Sequence, residues 1–203
     1  MERKNDMKFF DLKVSGAAAA AAEIAVVLRR PGAVAVVPTE TVYGLVSGVN
    51  PAGAERIYAL KHRSESKRLG WFVGDWRELE RYGVILTPLV RRLAGRFTPG
   101  ALTIIAPDID GGGVGFRVPD HPFLTALLAE FGGPLLQTSA NLSGCPDSLS
   151  LGAAVAGLSG EVDVGVDGGE LPAGSLASTV VDARGDVPKI LRRGALDLDL
   201  CDL

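Results

Sequence analysis

The stretch Pro38-Thr39-Glu40-Thr41-Val42-Tyr43-Gly44-Leu45 directly follows the apolar run Ala33 to Val37, so a buried strand leads into hydroxyls, a carboxylate and a glycine. If the chain stays extended past Pro38, Thr39, Thr41 and Tyr43 share one face while Glu40 and Val42 share the other. A row of hydroxyls both donates and accepts, which suits a zwitterionic ligand or a carboxylate, and Gly44 permits close backbone approach. The same residues equally suit a plain strand end in which threonine serves β propensity.

Further along, Lys61 and Arg63 follow a helical pattern over Ala52 to Leu60. Residues two apart converge on one side only in extended chain, so both cations grip one ligand only if the helix stops near Leu60. Such a pair can hold phosphates, lysine as a point charge and arginine through its planar fork; a solvated basic loop is the plainer reading. Arg117 stands in the apolar edge Phe116-Arg117-Val118-Pro119 and, if buried, needs a carboxylate or phosphate partner. Ser139 and Asn141 present a hydroxyl and an amide on one face if extended, or belong to an ordinary Ser/Asn/Gly turn. No Ser-His-Asp set, paired-carboxylate site or metal cluster is legible, so any chemistry rests on positioning and charge stabilisation.

The segments Pro38 to Leu45, Lys61-His62-Arg63, Pro99-Gly100, Arg117-Val118-Pro119, Ser139-Ala140-Asn141-Leu142-Ser143-Gly144, Ser178-Thr179 and Leu191-Arg192 occur in that order. From about Ala19 to Leu196 this series resembles the YrdC-like family, the threonylcarbamoyl-AMP synthases. The resemblance implies an α/β fold, a twisted open mixed sheet with flanking helices and a concave basic face. It implies ATP-dependent condensation of L-threonine and bicarbonate to threonylcarbamoyl-AMP with release of pyrophosphate, for threonylcarbamoyladenosine modification of tRNA. By the same resemblance Lys61 and Arg63 are catalytic. Thr39, Tyr43, Arg117, Ser139 and Ser178 hold threonine, and Lys61, Arg63, Lys67, Asn141 and Arg192 hold the nucleotide. Mg2+ would ride on the ATP phosphates with no metal site of the protein's own, and a threonylcarbamoyl transferase complex, with tRNA, would be the partner. The chain departs from the family pattern at Ser64, where a proline is usual, at Ala101, and at Asp147-Ser148-Leu149.

Length and composition agree with this. The 203 residues suit one domain, read as 15–203 behind a lead-in over 1–14; hydrophobic residues are 47% and charged residues 22%. A formal net charge of -3 leaves polyanion binding to local clusters such as Lys61 to Arg68. Cys145 and Cys201, with His62 and His121, are too few and too scattered for a zinc site or disulfide framework, which fits a cytoplasmic protein. The apolar run from Ala17 to Leu28 falls short of the roughly 20 residues that span a bilayer.

The remaining elements follow from period and punctuation. A helix capped by Ser15 covers Ala17 to Arg30, Asp75 caps a short helix to Arg81, and further helices cover Pro88 to Arg96 and His121 to Phe131. Strands are expected at 71–73, after Pro99-Gly100, at 116–119, 134–138, 162–166, 178–182 and 187–191. The glycine-rich loop from Asp108 to Gly115 reads as a hairpin tip, Thr103 as outside the site, His121 as capping or packing, and Trp71 and Trp76 as packing anchors. Two other classes compete with the enzyme. An RNA-binding module without adenylation is disfavoured by the acidic balance and the lack of interleaved aromatics. A carbamoyl-transfer domain of hydrogenase maturation proteins is disfavoured by the lack of zinc-finger cysteines.

Overall fold

All four residues of the strand Val34–Val37 are buried, and their side chains alternate between two different cores: Ala35 and Val37 enter one, Val34 and Val36 the other. A strand covered on both faces needs a continuous apolar run, which is why the sequence here shows no polar alternation. The computed structural model describes residues 7–199, so the first six residues of the expected lead-in and Cys201 lie outside the described residues.

Ten strands form one sheet among these residues: β1 (Lys8–Asp11), β2 (Val34–Val37), β3 (Gly44–Gly48), β4 (Gly70–Phe72), β5 (Leu102–Ala106), β6 (Val114–Arg117), β7 (Leu135–Ser139), β8 (Val164–Asp167), β9 (Thr179–Asp182) and β10 (Lys189–Arg192). Their spatial order is β1-β8-β2-β3-β7-β4-β6-β5-β9-β10, with parallel and antiparallel pairs mixed, so the sheet is open. The helices are α1 (Leu12–Ser15), α2 (Ala17–Leu28), α3 (Pro51–Lys61), α4 (Pro88–Phe97), α5 (Pro122–Phe131) and α6 (Leu151–Ala156), with a 3-10 segment over Trp76–Tyr82. None is long and apolar enough to cross a membrane among the described residues.

Three expectations need correction. Residues 8–14 of the expected lead-in lie in β1 and α1: β1 pairs in parallel with β8 and buries Phe10 in the core. Ser15 ends α1, and α2 is preceded by Gly16 with no side-chain cap. The helix α6, capped by Ser150 Oγ accepting from the Ala153 amide, is short, and its few apolar residues gave no period to read.

The site follows from unequal coverage of the sheet. Around β8, β2, β3 and β7 both faces are packed, α2 and α5 on one side and α3 and α6 on the other. Around β6, β5 and β9 one face carries α4 and the 3-10 segment over Leu102, Ile104, Phe116 and Val181. The alternate residues Thr103, Ile105, Gly115, Arg117 and Val180 point the other way and line a hollow.

At the start of α3, Asn50 Oδ1 accepts from the Gly53 amide at 2.9 Å. A Cβ on Gly53 would collide with Ser47 Oγ and approach Gly48 O to 2.9 Å. Alanine is the better helix former by about 1 kcal/mol, yet overpacking costs about 1–3 kcal/mol. Gly53→Ala therefore lowers the urea midpoint, and a raised midpoint would mean that helix propensity dominates here.

Candidate active site

The chain does not stay extended after Pro38; it bends over residues 40–42. Thr39 Oγ1 makes the bend by accepting from the Thr41 and Val42 amides at 3.0 and 3.2 Å and donating to Val42 O at 2.7 Å. That leaves Thr41 as donor to Thr39 Oγ1 at 2.9 Å and as acceptor from Arg117 Nη1 at 2.9 Å. Thr39 is consumed in the turn, and Thr41 is the hydroxyl that lines the hollow. Tyr43 is fully buried in the core behind it. Its hydroxyl donates to Gly169 O at 2.8 Å and accepts from the Gly168 amide at 3.1 Å, and burial pushes its pKa up. Neither Thr39 nor Tyr43 is among the lining residues.

Helix α3 ends at Lys61, as the basic pair requires, with His62 in the left-handed region at φ 47°. The reversal separates the two cations. Lys61 turns inward, and its ammonium donates to Ser139 O, to Asn141 O at 2.6 Å and to Asn141 Oδ1 at 3.1 Å. Burial and then the Arg63 charge lower its pKa from 10.5 to about 8, against the pull of Asp147, so it keeps its proton at neutral pH. Arg63 lines the hollow and donates to the carbonyls of Lys67 and Arg68, each at 3.0 Å.

Asn141 also accepts from Ser139 Oγ at 2.6 Å and donates to Cys145 O at 2.6 Å. It borders a separate depression beside Cys145 and Asp147, whereas Ser139 lines the hollow itself. Lys67 is exposed and outside the lining; Arg68 occupies that place instead. Lys61, Lys67 and Asn141, expected to hold the nucleotide, are not among the residues that line the hollow. Lys61 and Asn141 hold the Ser139 loop in place, and Lys67 contributes its carbonyl.

The hollow encloses about 590 Å³. Arg63, Arg68, Arg117, Arg184 and Arg192 line it with the hydroxyls of Thr41, Ser66, Thr103, Thr138, Ser139 and Ser178, and no carboxylate is among the lining residues. Arg117 is nearly buried and donates through Nε to Gly100 O at 3.1 Å, with Glu40 Oε1 2.7 Å from Nη2. Burial pulls its pKa down and Glu40 opposes that pull. Thr103 and Ser178 share a hydroxyl hydrogen bond of 2.8 Å, and Arg192 reaches Ser178 O at 3.0 Å and Ser178 Oγ at 3.3 Å.

Sequence reasoning grouped Thr41 with the other hydroxyls of its stretch but missed Thr103, Arg68 and Arg184. Thr103 had a usable signal, since it alternates with the inward-facing Leu102 and Ile104. The glycine-rich tip belongs to the site as well, because a Cβ on Gly112 would meet the Arg68 guanidinium at 2.6 Å and one on Gly113 would meet Arg184 Cδ at 2.6 Å. His121 packs edge-on against Phe123 with ring centroids 6.4 Å apart. Trp71 and Trp76 pack against the core beneath α4.

Cations and hydroxyls with no carboxylate in the lining itself are chemically able to receive an anionic ligand. A divalent cation entering this hollow would draw its ligands from phosphate oxygens, water and hydroxyls, which fits Mg2+ carried in on a nucleotide.

A family profile described as "Telomere recombination", Sua5_yciO_yrdC, matches residues 27–194. The threonylcarbamoyl-AMP synthase of Bacillus subtilis is 36% identical over 183 residues, covering 85% of this chain and 53% of that protein. The chain therefore spans about half the length of that relative. Among solved structures, P. abyssi Sua5 complexed with L-threonine matches with a TM-score of 0.81 at 27% identity, over 94% of this chain and 58% of that one. The E. coli YciO structure matches with a TM-score of 0.82 at 25% identity, over 96% and 98%.

Tyr43→Phe strands the Gly168 amide and the Gly169 carbonyl, at a cost of about 1–3 kcal/mol in urea denaturation. An unchanged midpoint would show that water replaces the hydroxyl. For Lys61, the unfolded chain binds more protons than the folded one between pH about 8 and 10.5. Stability of the wild type relative to Lys61→Met therefore rises over that window, and denaturation curves at pH 7 and pH 10 should show it; a fall would reverse the assignment.

Proposed function

The chain belongs to the Sua5/YciO/YrdC family, and from that premise we propose that it is an L-threonylcarbamoyladenylate synthase, a nucleotidyltransferase that makes threonylcarbamoyl-AMP from L-threonine, bicarbonate and ATP. The observation that carries this reading is the arginine- and hydroxyl-lined hollow of about 590 Å³ with no carboxylate in its lining. Its size suits a nucleotide with a small amino acid.

In this reading the carbamate oxygen of N-carboxylated threonine attacks the α-phosphorus of ATP, and pyrophosphate leaves with the electron pair of the broken bond. No side chain needs to become a nucleophile; the protein aligns the two substrates and offsets the charge that builds on the phosphoryl oxygens. Arg63 and Arg192, which donate only to neutral oxygens, hold the phosphates. Arg117 takes the threonine carboxylate, with Thr41, Ser139, Ser178 and Thr103 presenting hydroxyls beside it. Lys61 acts through the Ser139–Asn141 backbone that it holds. Bound Mg2+ would neutralise phosphate charge. The product would pass, in the cytoplasm, to a transferase complex that modifies tRNA.

Pyrophosphate release should require both L-threonine and bicarbonate. Arg63→Ala or Arg192→Ala should raise KM for ATP about tenfold or more, and Arg117→Ala should do the same for L-threonine, the loss of one hydrogen bond to a charged group being about 1.5–3 kcal/mol. Release that ignores the amino acid, or steeply salt-dependent RNA binding without release, would sink this reading in favour of another nucleotide reaction or an RNA-binding module.

A further inference from the structure

Three of the five lining arginines face a carboxylate: Arg68 with Asp108 at 3.0 Å, Arg184 with Asp182 at 2.7 Å and Arg117 with Glu40 at 2.7 Å. The first two arginines are 65% and 49% exposed, so water already screens those pairs. Arg117 and Glu40 are 5% and 19% exposed, and there the carboxylate offsets the cation with little help from solvent.

The two groups meet at 2.7 Å, the distance of a charge-assisted contact. Glu40 Oε1 also accepts from the Asp120 amide at 2.9 Å, which fixes the carboxylate in place. Arg117 Nη2 and Glu40 Oε2 have no hydrogen-bond partner among the described residues. Glu40 does not line the hollow, whereas Arg117 does. The guanidinium therefore borders the hollow while much of its charge is cancelled from outside the lining. His121, which also lies near Glu40, is held below its ordinary pKa by burial, against the pull of Glu40 and Asp120.

We propose that Glu40 determines specificity in this site by masking Arg117, so that this fork takes a singly charged carboxylate through hydrogen bonds and does not compete for phosphate. A phosphate chain carries several charges and is drawn to unmasked cations, here Arg63 and Arg192; a carboxylate carries one and loses less at a neutralised fork. The inference rests on the proposed function and deepens it, since it says how one arginine-rich hollow sorts an amino acid from a polyphosphate.

The test is calorimetric titration of the full chain with inorganic pyrophosphate and with L-threonine. Glu40→Gln removes the charge at nearly constant shape. It should bind pyrophosphate on the order of tenfold tighter than the wild type and let pyrophosphate compete with L-threonine. Glu40→Asp keeps the charge and should match the wild type within about twofold. Adding Arg117→Gln to Glu40→Gln should abolish the gain. Unchanged or weaker pyrophosphate binding by Glu40→Gln, or an equal gain in Glu40→Asp, overturns the proposal; a damaged fold would not produce tighter binding. Neither ligand reacts in this experiment, so a wild type that never turns over ATP would sink the reaction proposed above while leaving this readout intact.

Discussion

A positive charge taken out of water must be met by oxygen, and two such charges tie this molecule together. Lys61 is 2% exposed and is met by acceptors of Ser139 and Asn141. Arg117 is 4% exposed and is met by Gly100, Thr41 and Glu40. The acceptors come from distant parts of the chain, so satisfying both cations fixes the bend at 40–42, the end of α3 and the loop after β7 relative to one another. Removing the oxygens would leave an uncompensated buried charge, a penalty of several kcal/mol per ion, so these loops have little freedom to adopt other arrangements.

The sheet supplies the second constraint. Where helices cover both faces, apolar residues fill both, and where α4 and the 3-10 segment cover only one, the other is free for polar groups. Strands β6, β5 and β9 thus form a plate with one packed face and one open face. Arginines brought in by loops and strand ends surround the open face. A site assembled on strands is held more firmly than one on loops alone, which suits chemistry that depends on alignment.

Much of this was legible in the residues. Most helices and strands lie within a few positions of where period, proline and glycine put them, and α3 ends at Lys61, close to the expected stop near Leu60, although the two cations do not converge there. What failed was inference from strand alternation across Pro38 to Tyr43. It assumed an extended chain, whereas the Thr39 hydroxyl offers the backbone a competing set of hydrogen bonds and bends it. Thr39 and Tyr43 lie behind the hollow as a result, and Thr41, which the alternation grouped with them, is a buried residue of its lining.

The sequence by itself determined the element types, the two-sided burial of β2 and which side chains were available for charge and hydrogen bonding, because these depend on local propensity and on spacing of two or about 3.6 residues. Tertiary structure alone decided which of those groups line the hollow. Lys61 and Arg63 are two residues apart, yet one is drawn under the Ser139 loop and the other into the hollow. Arg68 and Arg184, far apart in the chain, come to line one hollow over a glycine tip. The direction of a charged side chain is set by where its acceptors lie, and for Lys61 and Arg117 acceptors come from segments about 80 positions away.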